Sequence, residues 1–277
     1  PVYGSLLLID LHSHILSGLD DGAQDVTMSV EMARMSVADG VTDMACTPHI
    51  VPGKYPNSSA TILPAMHALQ ALLEAQNIPL KLHVGADVHI APDLVDRLAN
   101  GSVPTLNGSR YFLLEPPHEI LPPKLEDFAS RLLQAGYVPI ITHPERLLWA
   151  GRHYDIIRRL ADLGCPMQVT AGSVLGAFGG AATELAQRML KENLVSFFAS
   201  DGHGTTWRKP LLSEAYAAVA GQLGSEQAEQ MFVHRPAAIL ANGEPGRLTA
   251  PRSTIRHAPA TGSGFVRRFV HRVLGNG

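Results

Sequence analysis

The segment Asp10-Leu11-His12-Ser13-His14, followed shortly by Asp20-Asp21-Gly22, has the composition of a cation site. In an extended chain, residues i and i+2 project to the same side, so both imidazoles can reach one ion. Imidazole suits zinc, iron, manganese and nickel, while nearby carboxylates draw harder ions. The i, i+2 pairing returns in Asp201-Gly202-His203. Other metal-competent side chains follow short apolar runs: His49 after Thr47-Pro48, then Asp87, Glu115, and His143 ahead of Pro144-Glu145-Arg146. Asp87 and Glu115 end such runs, where a carboxylate is costly to bury unless it is paired or metal-bound. Asp10 is placed to orient a ligand histidine from behind. Arg146, three residues after His143, is a natural clamp for a phosphate beside metals, and Arg208 is read the same way. Asp20 is read as holding the Asp-Gly bend. His83, His89 and His118 are read as loop or backbone-bonded histidines, and His67, His153, His234, His257 and His271 are given no role.

These residues need strands to carry them. Strand candidates are Leu6–Asp10, Val41–Cys46, Leu80–Ala86, Tyr111–Leu114, Val138–Thr142, Met167–Thr170 and Val195–Ala199. Helical spacing lies between them. Val26–Asp39 has Asp25 to cap its start and Gly40 to end it. Leu125–Ala135 ends at Gly136, Ile156–Leu163 at Gly164, and Ala182–Glu192 at Asn193. Repeated helix–Gly–strand punctuation predicts parallel βαβ units, hence a (β/α)-type barrel over one domain to about residue 245. Active sites of such barrels sit at the C-terminal ends of the strands, which is where the candidate ligands fall.

The 277 residues are 45% hydrophobic and 17% charged, enough apolar material for a large core. Net charge is −3, but residues 251–277 carry five arginines and no acidic residue, so the rest of the chain stands at −8. An acidic body without an aromatic-interleaved basic stripe argues against nucleic acid. Two cysteines, Cys46 and Cys165, make no disulfide framework and are expected to be buried free thiols. No run reaches the roughly 18 apolar residues of a membrane span, and the start has no signal-peptide pattern. The expectation is a cytoplasmic protein.

Together the segments resemble the PHP (polymerase and histidinol phosphatase) superfamily. The resemblance is carried by Asp10-Leu-His-Ser-His14, Asp20-Asp-Gly-Ala23, Thr47-Pro-His49, Gly85-Ala-Asp87, Glu115, His143-Pro-Glu-Arg146 and Ser200-Asp-Gly-His203. More narrowly, Ile9 through Ala23 and Val103 through Tyr111 are similar to metal-dependent protein-tyrosine phosphatases of bacterial capsule and exopolysaccharide operons. The likeness spans roughly residues 6 to 243. It implies a distorted (β/α)7 barrel as a single domain, and three divalent ions, manganese before iron, zinc or magnesium. It assigns His12, His14, Asp87 and Asp201 to one ion. Asp87, Glu115 and His143 go to a second, and Asp21, His49 and His203 to a third. The family usually has Glu where this chain has Asp87, a bridge shorter by one methylene.

The reaction implied is hydrolysis of phosphotyrosine on a protein, in first place a membrane-anchored bacterial tyrosine kinase. Metal binding lowers the pKa of water towards neutrality, so a metal-held hydroxide would attack phosphorus in line. Arg146 and Arg208 would hold the oxygens where charge builds up. Neither cysteine has an arginine six residues on, so the Cys-x5-Arg phosphatase loop is absent. A small-molecule phosphatase of the histidinol-phosphate type is the alternative. A non-catalytic kinase-binding module has no need of so complete a ligand set. Residues 246–264 read as a linker. Residues 265–277 read as a basic amphipathic tail suited to peripheral membrane contact.

Overall fold

Residues 7–246 are described by the computed structural model. In chain order the elements are β1 (Leu8–Ser13), α1 (Val26–Ala38), β2 (Val41–Cys46), β3 (His49–Ile50), α2 (Ser59–Ala75), β4 (Lys81–Val84) and β5 (Asp87–His89). They continue with α3 (Leu94–Ala99), β6 (Tyr111–Glu115), α4 (Leu125–Gln134), β7 (Val138–Thr142), α5 (Tyr154–Leu163) and β8 (Met167–Thr170). The last are α6 (Ala171–Val174), α7 (Gly180–Lys191), β9 (Phe197–Ala199), α8 (Ser213–Leu223), α9 (Ser225–Glu229) and α10 (Arg235–Leu240). Each expected strand segment overlaps a strand, with β1 running three residues past the expected end at Asp10 and β6 one past Leu114, and the short β3 and β5 are additional. The linker and tail expected after residue 245 lie, apart from residue 246, outside the described residues. Among those residues no helix is long and apolar enough to cross a membrane.

Helix ends follow local chemistry. The Met28 N–H donates to the Asp25 side chain at 2.9 Å, satisfying one of the orphan donors of α1. Gly164 ends α5 with φ of 104°, a left-handed value that other residues adopt only under strain.

Every pairing between these strands is parallel. β1, β2 and β4 form one sheet, and β3, β5, β6, β7, β8 and β9 form the other. β1 is then stitched to the segment after β9. The Asp201 N–H donates to His12 O and the His14 N–H to Gly202 O, both at 2.9 Å. Asp10 reinforces that seam by accepting from the Ser200 N–H at 3.0 Å and the Ser200 hydroxyl at 2.5 Å. The result is one α/β domain with parallel sheets.

Strand alternation separates two apolar clusters. Phe112, Leu114, Ile141, Val169 and Phe198 pack outward among the helices. Ile9, Leu11, Ala45, Tyr111, Leu113, Ile140, Phe197 and Ala199 face one another inside, with Leu106, Ile239 and Leu240 in the same cluster. Side chains two apart share a face. The inward column of β6 therefore reads Tyr111, Leu113, Glu115, and the inward column of β9 continues Phe197, Ala199 to Asp201. An apolar floor is topped by a carboxylate. That is how the sheet places charge at the C-terminal ends of its strands.

Candidate metal centre

β1 departs from this alternation in a useful way. Asp10 pairs with Met44 and Ser13 with Cys46, so three steps of β1 run against two of β2. The extra residue shifts the phase, as a bulge does. It brings His12 and His14 to the same mouth as Glu115 and Asp201, although Ile9 and Leu11 already face inward. After His14 the chain doubles back tightly: a Cβ on Gly22 would stand 2.1 Å from the carbonyl oxygen of His14. Only glycine fits there.

Every site residue expected from the sequence reaches this mouth. His12 Nε2 lies 3.1 Å from His14 Nε2, 3.5 Å from Asp87 Oδ2 and 3.3 Å from Asp201 Oδ1. His14 Nε2 is also 3.3 Å from Asp201 Oδ1. Asp21 Oδ1 is 3.6 Å from Nε2 of both His49 and His203. His49 Nδ1 faces the other way, 3.4 Å from Asp87 Oδ2 and 3.3 Å from Glu115 Oε2. His143 Nε2 is 3.4 Å from Glu115 Oε1. Ligand atoms about 2.1 Å from an ion stand about 3.0 Å apart along an octahedral edge and about 3.4 Å along a tetrahedral one. The spacings here are those of atoms sharing cations.

Burial strengthens that reading. His12, His14 and Asp87 are wholly buried, Asp201 is 1% exposed, and Asp21 is the most open to solvent, at 48% of its side chain against 13% for His49. Among the described residues no hydrogen bond reaches either oxygen of Asp87, Asp201 Oδ1, His49 Nδ1, His143 Nδ1 or His203 Nε2. An uncompensated buried carboxylate costs several kcal/mol, roughly, and one next to imidazole nitrogens is a demand for positive charge. The residues fit divalent ions.

The electrostatics agree. Burial opposes charge on His12, but Asp201 and Asp87 outweigh it and push its pKa up to about 9. His14 goes the same way, also to about 9, because Asp20 and Asp201 overcome burial. Burial opposes ionisation of Asp201 too, yet His12, Arg208, His14 and Arg146 hold it well below the usual carboxylate range. Burial again works against Glu115, and contacts from His118, His49 and His89 hold it low. Asp201 and Glu115 are therefore charged and attract cations.

The structure revises four readings of the sequence. Asp20 does hold the bend, accepting from the Gly22 N–H at 2.9 Å, but its other oxygen lies 2.7 Å from His14 Nδ1. It fixes the ring that presents Nε2 to the cluster. Asp10 does not touch the His12 ring; it accepts that residue's backbone N–H at 3.2 Å, and Gln168 Oε1 instead meets His12 Nδ1 at 2.9 Å. His89 and His118 are not loop histidines. Both sit on Glu115, His118 at 3.2 Å from Oε1, and each completes a cation-competent trio there. His83 stays outside, 2.8 Å from Asp43. The sequence signal for His89 was its i, i+2 spacing from Asp87, the same spacing that marked His12 and His14. Gln168 had no such signal.

The Asp20 contact carries a direct prediction. Asp20→Ala frees the His14 ring and should weaken divalent-metal binding about 10- to 100-fold, the usual effect of losing such a partner. Isothermal titration with Mn²⁺ measures it, and unchanged affinity would return Asp20 to the turn alone.

Both arginines converge on one oxygen. Arg146 and Arg208 each ion-pair with Asp201 Oδ2. The turn bearing Arg146 is anchored by Glu145, which accepts from the Thr170 N–H at 2.9 Å and the Ser173 hydroxyl at 2.7 Å. His143, Asp201 and Arg208 all have positive φ, at 33°, 51° and 47°. Non-glycine residues held there cost of order 1–3 kcal/mol each, and such strain gathers where side-chain aim matters more than stability. The arrangement offers buried cation ligands on one side and two guanidinium groups on the other, the pattern of a phosphate site.

A family model for capsular polysaccharide synthesis, CpsB/CapC, matches residues 8–241. Tyrosine-protein phosphatase YwqE of Bacillus subtilis is 34% identical over 219 residues, covering 79% of this chain and 86% of its own. The putative tyrosine-protein phosphatase CapC of Staphylococcus aureus is 32% identical over 209 residues, covering 76% and 82%. Among solved structures, one chain from the crystal structures of YwqE from Bacillus subtilis and CpsB from Streptococcus pneumoniae, unique metal-dependent tyrosine phosphatases, superposes with a TM-score of 0.84. It has 32% sequence identity and covers 88% of this chain and 98% of its own. A lactonase from Listeria monocytogenes, at 12% identity and a TM-score of 0.54, shares the fold alone.

Proposed function

The chain belongs to the CpsB/CapC capsular polysaccharide synthesis family, and from that premise we propose that it is a metal-dependent phosphatase acting on phosphotyrosine in proteins. The observation that carries the reading is the convergence of nine metal-competent side chains, most of them buried, at the strand ends beside Arg146 and Arg208. The reading takes the two sheets as parts of one distorted (β/α)7 barrel, with the catalytic domain over residues 1–245. Three divalent ions, manganese in first place, fit the donor set. His12, His14, Asp87 and Asp201 would hold one ion. Asp87, Glu115 and His143 would hold a second, and Asp21, His49 and His203 a third. A substrate from capsule or exopolysaccharide synthesis, a tyrosine kinase anchored in the membrane, accords with the family.

When bound, the ions supply Lewis acidity and a water of lowered pKa. The chain supplies the rest. Arg146 and Arg208 turn from Asp201 to the non-bridging oxygens of the phosphoryl group, where charge grows in the transition state. Asp20 and Gln168 keep the two β1 histidines aimed, so little reorganisation accompanies the reaction. A phenolate leaving group, of pKa about 10, departs with little help from a dedicated acid. The thiols take no part: burial raises both, Cys165 to about 12.

Chelation tests the reading. Metal-stripped protein should lose turnover of a tyrosine-phosphorylated peptide and regain it with Mn²⁺. Activity surviving thorough metal removal would reject the metal mechanism. Faster turnover of histidinol phosphate than of the peptide would favour the small-molecule reading.

A further inference from the structure

Arg146 stands between two spaces. One side of it meets Asp201 in the metal cluster, and its guanidinium lies 4.3 Å from the ring of Phe178. Beyond Phe178 opens a cleft of about 560 Å³, bounded by the turn after β7 and by α7. Its walls are apolar where they leave the metal cluster: Leu148, Phe178, Ala181, Ala182 and Leu185. Ala181, Leu185 and Arg188 are spaced by four and three, so α7 presents one face along the length of the cleft. Leu148 is 75% exposed, an apolar side chain held out at the rim. Gly172 permits the arrangement, since a Cβ there would come 3.0 Å from the Phe178 ring and 3.2 Å from Ala177.

None of the nine ligand residues lines this space, and the volume is that of a pocket for a drug-sized group. The cleft is continuous with the site through Arg146 and His118, which line both. We propose that it receives the peptide chain on one side of the phosphotyrosine, an apolar residue there packing against Leu148, Phe178 and Leu185. This rests on the phosphotyrosine reading and deepens it. The cleft is what makes a protein a better substrate than a free phosphomonoester. Phe178, with Arg146 over its ring, marks the boundary between the two spaces.

Two substitutions test the cleft without replacing a metal ligand or an arginine. Ala181→Trp fills it from an exposed helix position, and Leu148→Ala removes its exposed apolar wall. The substrates are a tyrosine-phosphorylated peptide with apolar flanking residues and free phosphotyrosine, assayed with Mn²⁺-loaded full-length protein. Each substitution should lower kcat/KM for the peptide about tenfold, through KM, as losing one apolar subsite does. Turnover of free phosphotyrosine, which does not reach the cleft, should move less than about twofold. A parallel loss on both substrates, or no loss on the peptide, overturns the cleft assignment. A wild-type protein that hydrolyses neither substrate overturns the phosphotyrosine reading, and this inference with it.

Discussion

Asp201→Asn is expected to lower phosphatase turnover by at least about 10³-fold and to remove most bound metal. The size follows from what one carboxylate does here. Its Oδ1 lies 3.3 Å from Nε2 of both His12 and His14, and its Oδ2 takes both Arg146 and Arg208. The amide keeps the shape and loses the charge. The cluster then lacks a buried anion for its cations, and the two guanidinium groups lose their anchor. Losing a partner behind a ligand already costs 10–100-fold, roughly, and losing one transition-state donor about 10²–10³. Metal analysis alongside a phosphotyrosine assay measures both effects. Protein that keeps its full metal content and turnover would remove Asp201 from the site.

Arg146→Ala is expected to separate those effects. It removes no ligand atom, so metal content should stay at the wild-type level while kcat falls about 10²–10³-fold, equivalent to about 3–4 kcal/mol of transition-state stabilisation. Arg146→Lys should recover only part of the loss. A lysine carries the charge but not the planar fork that grips two phosphoryl oxygens, and it lacks the delocalised group that Arg146 sets over the Phe178 ring. Metal lost in step with activity would assign Arg146 to holding Asp201 rather than to substrate.

Much of this centre was legible in sequence because strand periodicity and strand-end chemistry are local signals. Apolar runs ending in Asp87, Glu115 or His143 announce both a strand and what it delivers. What stayed hidden depends on distant partners. β3 and β5 are two and three residues long, too short for any periodicity. Gln168 lies 156 residues from His12, the ring it orients. The phase of β1 could not be read either, since the slip that turns His12 and His14 to the mouth exists only in its pairing with β2. Asp20 failed for a different reason. Its turn role was sufficient by itself, so nothing in the sequence called for a second one.

The seam between the first and last strands has a consequence for how the protein is made. Asp10 and Ser200, which close it, are 190 residues apart, and it draws His12 and His14 together with Asp201 and His203. Synthesis delivers the first pair well before the second, which comes only when β9 has emerged. Until then the two histidines lack the carboxylate that gathers them, and a nascent chain offers an ion no enclosed cage. Metal capture therefore belongs to the closing stage of folding, after the slow long-range contacts have formed. A ribosome-stalled chain ending before residue 200 carries most of the ligands and only the Asp10 half of the seam that holds them.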